Sequence, residues 1–169
     1  MSRSAQCYAE LGEVTNQVSV LNKMVEKLEA KEKPGHMLIA AKFRLASAYR
    51  QLGPEYLGTA YNRYAELIRL LSDKSKRFSN SADEEKANQK IMEGAMFYSA
   101  LCLSRMDAKE ENQEKYRRAA IKVLEQLVAT YPESEFAPTA LNQLGTFYVL
   151  LNQPEEARKV LDELRKKYP

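Results

Sequence analysis

Three acidic clusters are the first candidates for chemistry in this chain: Asp83-Glu84-Glu85, Glu110-Glu111 and Glu155-Glu156. Adjacent carboxylates can divide a proton between them for general acid–base work, or hold a divalent cation. All three clusters, however, fall where a helix is predicted to begin, and negative charge there offsets the helix dipole. The thiol and imidazole inventory is thin: Cys7, Cys102 and the single histidine His36. No CxxC pair and no HExxH run is present, so a Cys/His metal cage has no ligands to draw on. Both cysteines read as small buried hydrophobes, with a long-range disulfide as the alternative. There is no GxGxxG, no GxxxxGK[ST] and no GxSxG. The sequence therefore offers no catalytic residue, no cofactor site and no metal site. Two basic runs, Lys74–Arg77 and Arg165–Lys167, lie near predicted helix C-termini and complement the dipole there. Lys74, Lys76 and Arg77 keep a phosphate or acidic partner as the alternative.

Composition narrows the function classes further. With 169 residues and 44% hydrophobic content, the chain can bury a core as one domain, residues 1–169. Its 26 basic and 23 acidic residues are interspersed, for a net charge of +3. That is too weak and too even for a nucleic-acid footprint. No apolar run approaches the ~18 residues a membrane helix needs. The opening "MSRSAQCYAELGE" has no apolar signal core, and Cys7 lacks the hydrophobic stretch of a lipoprotein signal.

Helices must position whatever the chain presents. Val14, Val18, Leu21, Val25 and Leu28 step by four and three, and Val123, Leu124, Leu127 and Val128 keep a helical rhythm, as do Val160, Leu161 and Leu164. Alternation is absent. Breaks at "KPG" (33–35), "LGPE" (52–55), the polar stretch 72–85, "MDAKEENQ" (106–113), "TYPESEFAP" (130–138) and "LNQPEEA" (151–157) divide the chain. Ser81 with Glu84 fits a capping box. Asn152 is a candidate cap before Pro154. The reading is eight helices near 3–13, 15–31, 36–52, 55–74, 82–106, 110–131, 135–152 and 154–168. They pair into four hairpins, about 3–34, 35–75, 82–132 and 134–169. Gly12 is the only breaker within 3–31, so one continuous helix is the alternative there. Most of the ten tyrosines fall at helix-packing positions.

The last hairpin carries Leu141, Leu144, Gly145, Tyr148, Ala157, Leu161, Leu164 and Pro169. This pattern resembles the tetratricopeptide repeat: a large residue, Leu-Gly, Tyr, Ala, two further apolar positions and Pro. Leu141 stands for the usual Trp, Leu161 for an aromatic and Leu164 for Ala. The third pair matches in part, with Ile91, Gly94, Ala95 and Tyr98 as its first half and Ala120, Leu124, Leu127 and Pro132 as its second. In the second pair Ala46 and Tyr49 are followed by Ala60, Tyr64 and Leu67. The first aligns loosely through Tyr8, Ala9, Leu21, Val25, Leu28 and Pro34. Hairpins of about 42 residues exceed the ~34 of the family, which keeps a HEAT-like or generic α-solenoid open. The phrase "YPESEFAPTALNQLGTFY" is similar to repeats of bacterial cell-envelope proteins, the outer-membrane assembly lipoproteins and the Tol-Pal coordinator.

The resemblance implies an all-α, right-handed superhelix with a concave groove lined by the first helix of each pair, and a non-catalytic scaffold binding a protein or peptide partner. Its register puts Ala40, Phe43, Ser47 and Arg50 in the groove from the second pair. Gln89, Met92, Met96 and Ser99 follow from the third, and Thr139, Asn142, Thr146 and Val149 from the fourth. Asn142 would hydrogen-bond a bound peptide backbone, and Met92 and Met96 would form an adaptable apolar floor. Arg50 is the sole cation in this set, so the clamp that some members use for a terminal carboxylate is not expected. Gly145 is expected at the closest approach of the last two helices. Two other roles stay open: self-assembly into a homo-oligomer, and peptide sensing as a regulatory domain. The absence of a polar cap after Pro169 suggests a piece of a longer protein. A leader or transmembrane segment in that parent would place it in the periplasm or at the envelope; otherwise it would be cytoplasmic.

Overall fold

The computed structural model describes the backbone of residues 3–31, 34–73, 75–106 and 110–168, and within these the side chains from 12 onward except at 110–111. Seven α-helices run through them, with no strand among the described residues: α1 (Arg3–Glu29), α2 (His36–Leu52), α3 (Leu57–Ser72), α4 (Ala82–Arg105), α5 (Glu110–Thr130), α6 (Ala137–Leu150) and α7 (Pro154–Lys167). A single 3₁₀ turn, Pro54–Tyr56, precedes α3. The expected eight helices are thus seven, because residues 3–29 form one helix through Gly12. Gly12 is exposed, and a Cβ there would meet nothing within 4 Å. An isolated glycine costs about 1 kcal/mol against alanine, which a long helix packed along its apolar stripe absorbs. The first hairpin is accordingly a single helix leading three hairpins, α2–α3, α4–α5 and α6–α7.

Each helix packs on its successor, and α2 also packs on α4. Two apolar clusters result. One gathers Val18, Leu21 and Val25 of α1 with Ile39, Leu45, Tyr64, Leu67 and Cys102. The other gathers Met96, Ala100, Leu103, Leu124, Leu127, Leu141 and Leu144. Helix α4 feeds both, so apolar residues surround much of its girth. Fully burying a leucine or isoleucine stabilises by about 1.5–3 kcal/mol, and these side chains hold the stack together.

Polar contacts set the corners. Lys42 of α2 is buried between Glu29 of α1 and Glu66 of α3, with Nζ 2.5 and 2.7 Å from their carboxylates. Burial pulls the Lys42 ammonium down, but hydrogen bonds and charge from Glu29 and Glu66 outweigh it, and its pKa is raised. His36 Nδ1 is 2.7 Å from Asn88 Oδ1, and Asn88 donates through Nδ2 to the Phe78 carbonyl at 3.2 Å, pinning the 75–81 segment to α4. Ser81 Oγ accepts from the Glu84 N–H, while the Glu84 carboxylate accepts from Asn80 rather than from Ser81 itself. Gly53 ends α2 at φ +134°, a backbone that L side chains rarely adopt. Asn152 terminates α6 instead of capping α7. Its φ is +56°, the Gln153 N–H donates to the Tyr148 carbonyl, and the Asn152 N–H donates to that of Val149. This is a Schellman closure with asparagine in the left-handed position.

Candidate partner-binding face

Helices α2, α4 and α6 are the first members of the three hairpins, and their shared face carries the most concentrated chemistry. Phe43 of α2 meets Tyr64 edge-on at 5.8 Å between centroids and Tyr98 of α4 at 6.3 Å. Tyr98 continues to Phe97 at 5.5 Å and Phe136 at 5.7 Å, and Phe97 stacks on Phe136 at 5.0 Å. One aromatic network therefore runs from α2 across α4 to the start of α6. Gly94 makes room for it, since a Cβ there would sit 3.1 Å from Phe43 Cζ and 3.6 Å from Phe136 Cε2.

Arg50 lies over this network, its Cζ 4.6 Å from the Tyr98 ring centroid, in cation–π geometry. Its Nε is buried without a hydrogen-bond partner. Among the described residues no carboxylate pairs with it. Buried polar atoms are usually satisfied, which makes this donor an exception. Burial raises the Tyr64 hydroxyl's pKa, while a hydrogen bond with Ser47 Oγ at 2.9 Å, and hydrogen bonding and charge from the Arg50 guanidinium, pull the other way. Burial likewise pushes the Cys102 thiol up to about 11 against the pull of Arg50 and Arg105, so it stays protonated and unreactive. Cys102 is a free, buried cysteine; Cys7 lies outside the described side chains.

The sequence-derived groove residues divide into three groups. Phe43 and Arg50 come together through Tyr98, with Ser47 beside them. Asn142, Thr146 and Val149 form an exposed row on α6, where the Thr146 hydroxyl donates to the Asn142 carbonyl at 3.2 Å and Val149 is 62% exposed. In the third pair the register moves. Met96 is 2% exposed within the core, so it offers no surface, and Ser99 is buried too; Met92 is half-buried against the same cluster. The cause is Gly94. Its smallness serves the α2–α4 crossing, not the α4–α5 hairpin. Met96, Ser99, Ala100 and Leu103 are the buried set that matches Leu141, Leu144, Gly145 and Tyr148 of α6. In that register Phe97, Leu101 and Ser104 align with the exposed Asn142, Thr146 and Val149 of α6, but Phe97 is itself buried and Leu101 and Ser104 are half-buried.

Phe97, Phe136 and the surface role of Tyr98 were not recovered from sequence. Their signal was the Phe97-Tyr98 doublet three residues beyond Gly94. Gly145 stands as expected in the last hairpin: a Cβ there would lie 2.9 Å from Leu161 Cδ2. The Tyr148 hydroxyl donates to Glu125 at 2.5 Å, and burial followed by that carboxylate raises its pKa. The Tyr168 hydroxyl donates to the Pro132 carbonyl. The acidic cluster 83–85 occupies the first turn of α4 and Glu155-Glu156 that of α7, as dipole pairing requires. The side chains of Glu110 and Glu111, with Lys74 and Pro169, lie outside the described residues. No group of three metal-ligating side chains occurs among the described residues, and no helix there is long and apolar enough to cross a membrane.

The family model for the tetratricopeptide repeat matches residues 94–134 and 139–169. These stretches correspond to the α4–α5 and α6–α7 hairpins. No curated protein and no solved structure matches the chain.

Proposed function

Taking the two tetratricopeptide repeats as premise, we propose that this protein is a non-catalytic scaffold that binds a segment of a partner protein along the α2/α4/α6 face. Such repeats generally mediate protein–protein interaction, and the structure supports the reading through one observation above others. The half-buried Arg50 guanidinium lies over an aromatic platform, and among the described residues no carboxylate pairs with it. A partner that brings an acceptor to the guanidinium, and apolar side chains to the half-buried Phe43 and Tyr98, engages the cation and covers the rings. Aromatics and arginine are the residue types that dominate interface energetics. Asn142 and Thr146 extend the face with exposed hydrogen-bonding groups.

The test selects peptides from a random display library against the immobilised full chain. Selected peptides should lose at least about tenfold in affinity with Arg50→Gln or Asn142→Ala, while far-UV circular dichroism stays unchanged. Peptides that bind both variants as tightly as the parent would place recognition elsewhere. A second reading, self-assembly, is favoured by Val149 and Leu150 at 62% and 54% exposure on α6. A mass from light scattering that stays monomeric at every concentration removes it. The bacterial cell-envelope setting is supported by the phrase at 131–148, and fractionation of cells that express this protein tests it.

A further inference from the structure

We propose that the outer flank of α1 is a second docking surface, shaped for an acidic amphipathic helix and separate from the α2/α4/α6 face. At 100° per residue, Val20, Lys23, Met24 and Lys27 fall on one side of α1, and Lys31 follows just beyond its end at Glu29. They line a shallow cleft of about 570 Å³ with Leu28 at its floor. Val20 is 66% exposed, the largest exposure of any bulky apolar side chain among the described residues. Helix α1 packs principally on α2, so this flank is left uncovered.

The charge pattern says what covers it. Lys23, Lys27 and Lys31 follow one another at intervals of four, and none is in an ion pair among the described residues. Like charges four apart on a helix destabilise it. Glu29 of α1 lies across the helix from Val20 and is engaged there by Lys42. The cleft lining thus carries three lysines and no carboxylate. A partner helix with apolar residues at i, i+3, i+4 and i+7 would cover Val20, Met24 and Leu28, and flanking Asp or Glu would pair with the lysines. The helical part of the stripe, from Val20 to Leu28, is about 12 Å long, enough for about two turns of such a helix. One exposed valine gives too little apolar surface for a membrane-inserted helix, which favours a protein over a lipid surface.

The probe is a synthetic leucine/glutamate peptide of about four helical turns, titrated into the nitrogen-15-labelled full chain. Amide shifts should cluster at residues 20–31, and the affinity should fall with salt. Replacing the lysines together, Lys23→Glu, Lys27→Glu and Lys31→Glu, should weaken binding at least about tenfold and admit the matching leucine/lysine peptide instead. If the triple replacement loosens α1 by circular dichroism, Lys27→Glu alone should weaken binding about threefold with the helix intact. Absence of binding at millimolar peptide overturns the proposal. So do shifts confined to Arg50, Phe97 and their neighbours, or wild-type capture by phosphatidylserine vesicles when the peptide does not bind.

Discussion

Gly145→Ala is the sharpest probe of how the last hairpin closes. In a helix interior alanine is better than glycine by about 1 kcal/mol, so the substitution gains helix propensity. Against that, the new Cβ would lie 2.9 Å from Leu161 Cδ2 and 3.0 Å from Leu161 Cγ. Overpacking of this kind costs about 1–3 kcal/mol. Leu161 is half-buried and its methyl groups can turn outward, so the cost falls at the low end of that range. Gly145→Ala should therefore leave stability within about 1 kcal/mol of the parent, whereas Gly145→Leu should lose about 1–3 kcal/mol. The background decides the mechanism. In a Leu161→Ala protein the colliding atoms are gone, and Gly145→Ala should then stabilise by about 1 kcal/mol. The four proteins form a double-mutant cycle, read by urea unfolding with ellipticity at 222 nm. A coupling of about 1–2 kcal/mol is expected. If Gly145→Ala has the same effect with and without Leu161, the close approach of α6 and α7 does not account for the glycine.

Gly12→Ala should slow amide exchange around residue 12 by up to about tenfold, because its Cβ enters open space and only propensity changes; no added protection would mean that α1 is not helical there in solution. Tyr148→Phe should cost about 1 kcal/mol in urea unfolding by removing the hydrogen bond to Glu125, and in the parent Tyr148 should be among the last phenols to ionise in a titration followed at 295 nm, since its pKa is raised. Lys42→Met should cost about 1–2 kcal/mol, with the partly exposed Glu29 and Glu66 rehydrating once unpaired. The Lys42 ammonium is raised above its ordinary value, so its contribution should be fully present below pH ~10.5 and be lost as pH rises through the folded-state pKa. The difference in stability between parent and Lys42→Met should shrink on that alkaline side, and a difference that is flat across it would refute the linkage.

Helix identity was legible because the apolar spacing is local information. Val14 through Leu28 announced α1, and the Leu141–Leu164 pattern announced the α6–α7 hairpin, whose glycine meets Leu161. The number of helices was not, because Gly12 alone does not say whether tertiary packing will carry a helix through it. Register on α4 was illegible for a related reason. This helix feeds two clusters, so its apolar positions do not mark one face, and a small residue on it has two neighbours to accommodate. Tyr64 was read as a position of its repeat's second helix, which its complete burial matches. The ring network that joins it to Tyr98 depends on how α2 crosses α4, and sequence spacing within one helix does not encode that crossing.

Gly94 and Gly145 show what a glycine in such a stack can mean. At Gly145 the side chain that fills the space belongs to the next helix, Leu161. At Gly94 it belongs to α2, Phe43, with Phe136 of the following corner close by. Gly145 closes a hairpin and leaves the proposed face untouched. Gly94 lets one hairpin's ring reach the next, and so makes the surface on which Arg50 rests. Gly94→Ala should consequently act on recognition more than on folding. Its Cβ must displace Phe43 by a few tenths of an ångström, and helix propensity returns about 1 kcal/mol in compensation. Displacing Phe43 moves a ring that packs on Tyr98, beneath the guanidinium. Peptides selected on the parent should therefore bind Gly94→Ala about threefold or more weakly at unchanged unfolding midpoint. Gly145→Ala should leave their affinity alone. Equal effects of the two substitutions on affinity would mean that the face made by Phe43, Tyr98 and Arg50 is not where the partner sits.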